Sequence, residues 1–276
     1  MSFKIAKSTG KHEAFNVAKI EKSLKKAGAS DQLAQEIAAK AKKDPKIKST
    51  KDLHRFTLGY LAKRDPVVAA RYNLKYALLE LGPAGYPFER FIAELFAYQG
   101  YKVGVNENIK GFCVEHEVDV LAKKDTEKLI IECKFHNRRG LKSDVKVVLY
   151  AKERFDDIKK ECERAHDKLI PKPLIITNTN FTTEALKYGK CVGIDLIDWN
   201  NPPGKSLPDI INNLGLHPIT TLTSLNNRQK KAFIENGFML CRQAPEHIPF
   251  LKTFGLTDHQ IKKIVDESVA VCEFDK

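Results

Sequence analysis

The first 85 residues combine a short alternating pattern with a longer helical one. Residues 3–8 alternate apolar and polar positions and predict a strand, Gly10 predicts a turn, and a second extended stretch completes a hairpin. Helical spacing follows, with Gly28 as a C-cap of the first helix and Gly82-Pro83 as the end of the segment. The four predicted helices begin at Val17, Ser30-Asp31, Thr50 and Asp65-Pro66.

Residues 86–204 mix helix and strand periodicity. An apolar stripe that includes Phe88 and Phe91 predicts a core-packed helix over residues 87–99. The runs that follow give the order αβββαβαβ, which is typical of a mixed sheet flanked by helices. The predicted strands span residues 101–105, 114–122, 128–136, 174–177 and 191–197, and the later helices span 143–169 and 182–188.

The tail from about residue 219 has the spacing of short helices. Its glycine turns at Gly237 and Gly255 resemble those of helix-hairpin-helix modules, which contact DNA backbones. The neutral charge of the tail fits a packing or dimer-contact domain at least as well. We therefore predict an α/β multi-domain protein with domains at residues 1–85, 86–204 and 205–276, the last one small and helical.

The composition is that of an ordinary globular protein, with 276 residues, of which 42% are hydrophobic and 30% charged. No stretch approaches the roughly 18 apolar residues of a membrane span, and residues 1–15 do not form the apolar core of a signal peptide. Six cysteines lack C-x-x-C spacing, so neither a disulfide framework nor a structural zinc site is expected. We expect a cytoplasmic protein without a membrane partner.

The net charge of +12 is unevenly distributed. Residues 1–85 contain 18 lysines and arginines against 8 acidic residues, whereas residues 206–276 are neutral. An excess of positive charge favours an anionic partner, either a nucleotide or a nucleic-acid backbone. A solvated helical surface explains the same charge without any partner.

Two predicted strands bring acidic and basic residues together. A hairpin turn centred on Asp125-Thr126 would join the runs HEVDVLA and KLIIECKFH, which places Asp119 opposite Glu132 with Cβ atoms about 5 Å apart. Lys134, two residues further on, shares the face of Glu132. A slip of one residue would put the acids on opposite faces. The residues expected to face apolar packing instead are Val118, Val120 and Cys133.

Two adjacent carboxylates repel each other unless a cation neutralises them, and Mg²⁺ or Mn²⁺ with bound waters suits such a pair. Asp119 and Glu132 are therefore candidate metal ligands, and Lys134 is a candidate for holding the attacking water or stabilising charge on a phosphate. Glu89, near the start of the first helix of this segment, is a candidate outer acid. Structural alternatives remain open: cross-strand ion pairs for the triad, and a salt bridge or helix N-terminal acid for Glu89.

Other motifs change the interpretation less. By parity His136 shares the face of Glu132 and His116 lies on the other face; phosphate contact is possible for His136, and a structural role is favoured. Residues 204–206 imitate the end of a Walker A loop, but Trp199 stands where that loop needs a glycine, so the motif is rejected.

Residues 86–200 resemble the PD-(D/E)xK nuclease superfamily, most closely the Mrr-like restriction endonucleases. The resemblance rests on the helix FERFIAELFAYQGY, the acid in HEVDVLA, and IIECKFH as the E-x-K element. It implies a restriction-endonuclease-like fold, Asp119 and Glu132 as metal ligands, Lys134 as the catalytic lysine, and DNA as the substrate. The sequence departs from the family at residues 115–117, where Glu-His-Glu crowds a position that more often holds glycine.

Residues 3–82 resemble the ATP-cone, a regulatory module best known from ribonucleotide reductases. The stretches IAK, FNVAKI and TKDLH and the glycine of the hairpin carry this resemblance. It implies that Lys7 and Lys19 meet the phosphates of ATP or dATP and that Thr50 and His54 contact the nucleotide. The chain has KSTG where the family usually has KRDG. A small helical DNA-binding or interaction domain without a ligand is the alternative.

Together, these features predict a Mg²⁺-dependent DNA endonuclease of restriction or repair type, regulated by ATP or dATP through its N-terminal domain or its oligomeric state. The alternative is a nucleotide-responsive DNA-binding regulator with a catalytically silent nuclease fold. A binding protein has no need of an acid pair that requires a cation, so the sequence favours the enzyme.

Overall fold

The computed structural model describes residues 4–6, 12–138 and 140–273. Its first strand, β1 (Lys4–Ala6), pairs antiparallel with β2 (His12–Ala14), so the strands of the predicted N-terminal hairpin are present. The predicted turn at Gly10 lies outside the described residues.

Four helices follow the hairpin and begin within a residue of their predicted starts. Their N-termini are capped by side chains: Asn16, Ser30 and Ser49 each accept a hydrogen bond from a backbone N–H of the first turn. Such caps satisfy N–H groups that have no partner within the helix. The helices are α1 (Val17–Lys26), α2 (Asp31–Lys43), α3 (Thr50–Arg64) and α4 (Pro66–Leu79).

The central segment forms a five-stranded mixed sheet in the order β3-β4-β5-β7-β9. The first three strands are antiparallel, and the last two continue the sheet in parallel to β5. A small separate pair, β6 and β8, is also parallel. The elements are α5 (Tyr86–Ala97), β3 (Lys102–Lys110), β4 (Glu115–Lys124), β5 (Glu127–Lys134), β6 (Lys142–Ser143), α6 (Val145–Arg164), β7 (Lys172–Thr177), β8 (Asn180–Phe181), α7 (Thr183–Val192) and β9 (Asp195–Ile197).

The predicted mixed sheet with flanking helices is confirmed, with differences in detail. The strands β3 and β4 are longer than the apolar runs that predicted them, because both continue through polar residues that still form ladder pairs. The strands β6 and β8 were not predicted, since a two-residue strand is too short to show a period.

Apolar side chains of α6 bury one face of the sheet. Val148, Phe155 and Ile158 pack into a cluster with Val118 and Ile175, while α5 contacts β3 and β4. These positions recur at helical spacing on α6, so one face of the helix packs on strands and the other is left for solvent and for polar contacts.

Asp157 of α6 holds the turn that joins β3 to β4. Its carboxylate accepts the N–H of Cys113 at 3.0 Å and contacts His116 Nε2 at 2.8 Å, and this contact lowers the pKa of Asp157 to about 2. A Cβ atom at Gly111 would lie 2.1 Å from Asp157 Oδ2, so only glycine permits the approach. These contacts give His116 a structural role that positions β4.

The tail is helical, as predicted, and includes one helix that the sequence analysis missed. That helix, α8 (Leu207–Leu214), begins with a capping box between Ser206 and Asp209. The later helices are α9 (Asn227–Glu235), α10 (Ile248–Lys252) and α11 (Asp258–Cys272), and three-residue 3-10 helices lie at Ile219–Thr221, Cys241–Gln243 and Pro245–His247. No helix in the described part of the chain has both the length and the apolar character needed to cross a membrane.

Contacts divide the chain into two compact units. We call Leu78–Leu216 with Phe233–Leu240 the sheet unit, and Met1–Ala77 with His217–Ala232 and Cys241–Lys276 the helical unit. Within the helical unit, Thr220 Oγ1 donates to the carbonyl of Ala77 at 2.7 Å, which joins the N-terminal and C-terminal parts of the chain. The division into three domains at residues 85 and 204 stays a prediction.

The helical unit buries one histidine completely. His217 has no exposed surface, and its carbonyl accepts the N–H of Cys241 at 2.8 Å. Burial, together with the charge of Arg71, lowers the pKa of His217 to about 3, so its ring is neutral at physiological pH.

Candidate active site

The candidate site lies on the hairpin formed by β4 and β5. Val120 pairs with Ile131, and continuing the same register by one residue places Asp119 opposite Glu132. The predicted register is therefore confirmed. In addition, the N–H of Cys133 donates to Asp119 Oδ2 at 2.6 Å, which fixes the Asp119 carboxylate over β5 beside Glu132.

Alternation along both strands explains why the acids share a face. Val118, Val120 and Cys133 are buried, as predicted, and side chains point to alternate faces along a strand. Burial of these apolar residues holds the register, because a one-residue slip would move them toward the polar face.

Arg154 of α6 is a member of the site that the sequence analysis missed. Its Nη1 lies 2.5 Å from Glu132 Oε2 and donates to the carbonyl of Glu117 at 3.2 Å. The side chains of Arg154 and Glu132 are only 16% and 15% exposed, so this is a largely buried ion pair. The guanidinium also lies over the ring of Tyr150, 5.0 Å from its centroid. No local pattern in the sequence distinguishes Arg154 from the other charged residues of α6.

Both acids of the hairpin are destabilised as anions. Burial is the main reason that the pKa of Asp119 is raised, with the charges of Arg154 and Lys134 and the Cys133 N–H acting against it. Burial also raises the pKa of Glu132, and the charge of Asp119 adds to that increase. The two cationic side chains therefore offset only part of the cost of holding two carboxylates together.

Glu89 of α5 belongs to the same electrostatic cluster. Its pKa is raised to about 7, first by burial and then by the charges of Asp119, Glu117 and Glu132. This coupling across two elements is what an outer acid of the site would show. Glu89 also lies in the first turn of α5, so the alternative of a helix N-terminal acid stays open.

The lysine and the second histidine lie at the end of β5. Thr177 Oγ1 donates to the backbone carbonyl of Lys134 at 2.7 Å, and the charge of Lys134 opposes the rise in the pKa of Asp119 and Glu132. His136 Nε2 lies 2.9 Å from Ser143 Oγ, and its backbone N–H donates to Asn178 Oδ1 at 2.8 Å. These contacts account for His136 as a residue that anchors the strand end.

The carboxylate oxygens of Asp119 and Glu132 suit a hard divalent cation that takes few ligands from the protein. Among the described residues, no group of three or more histidine, cysteine, aspartate or glutamate side chains is close enough to hold a metal ion. Mg²⁺ is commonly bound by only one or two carboxylates, with waters and substrate phosphates completing its shell. Asp119 and Glu132 are two carboxylates of the kind that such a site uses, and their role as ligands stays a prediction.

Three of the four nucleotide contacts expected near the N-terminus are described in the helical unit. Lys19 of α1 forms an ion pair with Glu13, and Thr50 is the first residue of α3. One turn later, His54 Nε2 lies 3.0 Å from Asn73 Oδ1, and its ring stacks on Tyr76 with centroids 3.7 Å apart. Lys7, the fourth expected contact, lies outside the described residues. A role for these residues in binding a nucleotide stays a prediction.

Two family models match parts of this chain, and one of them covers the candidate site. Residues 83–201 match the family model Mrr_cat, described as a restriction endonuclease, and residues 217–272 match a model described as AF1548-like, C-terminal. The first match contains Glu89, the whole β4–β5 hairpin and Arg154. Residues 1–82 lie outside both matches.

Individual relatives agree with these matches. An uncharacterized protein of Archaeoglobus fulgidus is 33% identical over 183 residues, which cover 65% of this chain and 99% of that protein. A crystal structure described as the protein of unknown function AF1548 is similar with a TM-score of 0.55 and 32% identity, covering 68% of this chain and 98% of its own. This chain belongs to the AF1548-like family, and its residues 83–201 form a domain of the restriction endonuclease type.

Proposed function

We propose that this chain is a divalent-cation-dependent deoxyribonuclease with Asp119, Glu132, Lys134 and Glu89 as its active-site residues. The observation that carries the proposal is the hairpin register, in which Val120 pairs with Ile131 and the Cys133 N–H donates to Asp119, so that Asp119 and Glu132 come side by side in the segment that matches a restriction endonuclease model. The raised pKa of both acids supports it, because a structural ion-pair network normally stabilises its carboxylates as anions.

Asp119 and Glu132 would hold Mg²⁺ or Mn²⁺ through carboxylate oxygens. The Cys133 N–H keeps the Asp119 carboxylate oriented, so the ligand does not have to be ordered when the cation arrives. A bound dication of this kind supplies a water of lowered pKa and a Lewis acid for a phosphate oxygen.

Lys134 and Glu89 would act on the substrate and its water. Lys134 follows Glu132 by two residues on β5 and shares its face, so its ammonium can stabilise the negative charge that grows on the phosphate. Glu89 approaches from α5 and would orient water through a carboxylate that is not itself a ligand.

A plasmid assay tests this function. We expect nicking or linearisation with Mg²⁺ or Mn²⁺, no cleavage in EDTA, and a loss of roughly 100-fold or more in Lys134→Ala. Lys123→Ala, an exposed lysine on the neighbouring strand, is the matched control and should cleave like the wild type. Undiminished cleavage in EDTA or in Lys134→Ala would overturn the proposal. Binding of DNA without any cleavage would favour the regulator with a silent nuclease fold.

The proposed substrate is DNA, and restriction and repair enzymes differ in the form of DNA that they cleave. A restriction enzyme would prefer duplexes of particular sequence or modification, whereas a repair nuclease would prefer branched or single-stranded substrates. A panel of modified duplexes, branched junctions and single strands, compared at equal concentration, separates the two activities.

We further propose that the helical unit binds ATP or dATP and thereby regulates cleavage. Support comes from the ATP-cone resemblance and from the charge excess of residues 1–85. Calorimetric titration should show binding that weakens in Lys19→Ala and His54→Ala, with Lys25→Ala, an exposed lysine on the same helix, as control. Cleavage and light scattering with and without nucleotide then test regulation and oligomeric state. If neither nucleotide binds, the regulatory part of the function is wrong while the nuclease stands.

A further inference from the structure

The guanidinium of Arg154 contacts Glu132, one of the two proposed cation ligands. Arg154 Nη1 lies 2.5 Å from Glu132 Oε2, and the same nitrogen donates to the Glu117 carbonyl at 3.2 Å. An oxygen of Glu132 that accepts this hydrogen bond cannot bind a divalent cation in the same direction. Arg154 therefore competes with a metal ion for Glu132.

A guanidinium is suited to such competition because it keeps its charge at every physiological pH. The ion pair is largely removed from water, so the loss of either partner would leave an uncompensated buried charge. In the absence of a divalent cation, Arg154 supplies the positive charge that Glu132 needs. Asp119, by contrast, accepts a hydrogen bond from the backbone N–H of Cys133.

Phosphate is the partner that Arg154 can accept in exchange. A guanidinium binds phosphate oxygens with paired, parallel hydrogen bonds, and it binds carboxylates in the same way. A nuclease substrate brings phosphates to the site. Tyr150, one turn earlier on α6, lies under the guanidinium, and 66% of the tyrosine surface is exposed, so this edge of the site opens to solvent.

We propose that Arg154 is a switch residue of the active site: it neutralises Glu132 when no divalent cation is bound, and it contacts a DNA backbone phosphate when Glu132 is a metal ligand. This inference rests on the proposed function and extends it by adding a phosphate-binding residue and by linking cation binding to DNA binding. Cation and DNA then bind with positive coupling. A cation bound to Glu132 leaves Arg154 available for phosphate, and a phosphate bound to Arg154 leaves Glu132 available for the cation.

Calorimetric titration of Mn²⁺ in the absence of DNA gives the first test. Arg154→Ala removes the competitor and should bind Mn²⁺ at least about fivefold more tightly than the wild type. Arg154→Lys keeps the charge and should stay within about twofold of the wild type. Arg164→Ala is the control, since Arg164 lies on the same helix and pairs with Glu161 away from the site. Equal or weaker Mn²⁺ binding by Arg154→Ala would overturn the switch.

Fluorescence anisotropy with a labelled duplex gives the second test, in a Lys134→Ala background to prevent cleavage. Adding Arg154→Ala should weaken DNA binding in Mn²⁺ by about 10-fold, and by at least about fivefold more than in EDTA, where Arg154 is held by Glu132. A loss of equal size in both buffers would show an ordinary charge effect and reject the inference. Arg154→Lys, which keeps a cation without the planar fork, should lose an intermediate amount and provides the test if the alanine variant does not fold.

The two tests separate failure of the inference from failure of the function. If the wild type binds no Mn²⁺ and Arg154→Ala does not bind it either, the proposed metal site is wrong. If both bind Mn²⁺ with the same affinity, the metal site stands and the role of Arg154 is wrong.

Discussion

Both units of the molecule bury titratable groups, and the groups respond to pH in opposite directions. In the sheet unit, burial and mutual repulsion raise the pKa of Glu89 to about 7 and also raise the pKa of Asp119 and Glu132. In the helical unit, burial lowers the pKa of His217 to about 3. Lowering the pH should therefore stabilise the sheet unit and destabilise the helical unit.

The difference distinguishes a buried group with a structural role from the groups that the proposed function would use. His217 is neutral in its folded surroundings at pH 7, which is the cheapest way to bury an imidazole. The acid cluster keeps several carboxylates together beside two cations, an arrangement that costs stability and that the proposed divalent cation would compensate. The charge excess of residues 1–85 belongs to the other class, because ion pairs in this segment, such as Lys40 with Glu36, lie at the surface in contact with solvent.

The largest effect should come from removing one acid of the hairpin. Asp119→Asn should reduce DNA cleavage by on the order of 100-fold or more, since it deletes a metal ligand. It should not lower the melting temperature, because the amide keeps an acceptor for the Cys133 N–H and removes a buried charge. Asp125→Asn, at the exposed hairpin turn, is the control for both measurements. A variant that loses stability along with activity would mark Asp119 as structural.

The helical unit should lose stability in acid through His217. Since its folded pKa of about 3 lies below the unfolded value, the unfolded chain takes up the proton first, and stability falls as the pH drops below about 6.5. This group alone should cost about 2 kcal/mol between pH 7.5 and pH 5.

Hydrogen exchange of amides in the helical unit measures this loss at the two pH values. His217→Gln has no proton to take up, so its stability should change less with pH than that of the wild type. If both proteins lose stability equally, another group causes the acid sensitivity.

Glu89→Gln should have the opposite effect on the sheet unit. The folded pKa of Glu89, about 7, lies above its unfolded value, so the charged form is disfavoured at pH 8 and the neutral amide should add about 1 kcal/mol after allowance for solvent screening. The gain should vanish as the pH falls toward 5, where wild-type Glu89 is protonated. Urea unfolding followed by the fluorescence of Trp199, the single tryptophan and a member of this unit, measures it. A gain that does not depend on pH would contradict the electrostatic explanation.

The smallest effect should come from the exposed ion pairs of the helical unit. Lys40→Ala removes contacts with Glu36 and Tyr60 on the surface of α2 and α3, and it should change the melting temperature by no more than about 2 °C. A larger change in a thermal melt would show that surface charge in this unit contributes more than the comparison allows.

Much of the fold could be predicted from the sequence because its signals are local. The N-cap Ser30 and the proline at the first position of α4, Pro66, predicted helix starts within a residue. The apolar alternation around Asp119 predicted the hairpin register. The spatial order of the strands was not predicted, because the chain order αβββαβαβ does not say which strands pair; the structure shows β7 parallel to β5 and β9 parallel to β7.

The missed features depend on contacts between distant residues. Arg154 stands on a long amphipathic helix with many charged positions, and no local pattern distinguishes the one that meets Glu132, 22 residues away. The helix α8 was missed because the prolines at 202 and 203 indicated a break in structure, although Ser206 and Asp209 form a capping box directly after it. The grouping of residues 217–232 and 241–276 with the N-terminal helices likewise depends on long-range contacts such as Thr220 with Ala77.

The position of β5 inside its sheet bears on how the protein is inactivated by heat. The strand pairs antiparallel with β4 as far as Ile131 and parallel with β7 as far as Lys134, so Glu132 and Lys134 lie on the part that β7 holds. Fraying from the free edges and chain ends has to break the pairing with β7 before it releases these two side chains. Under the proposed function, the activity that remains after heating should therefore follow the fraction of molecules in which β5 and β7 are still paired.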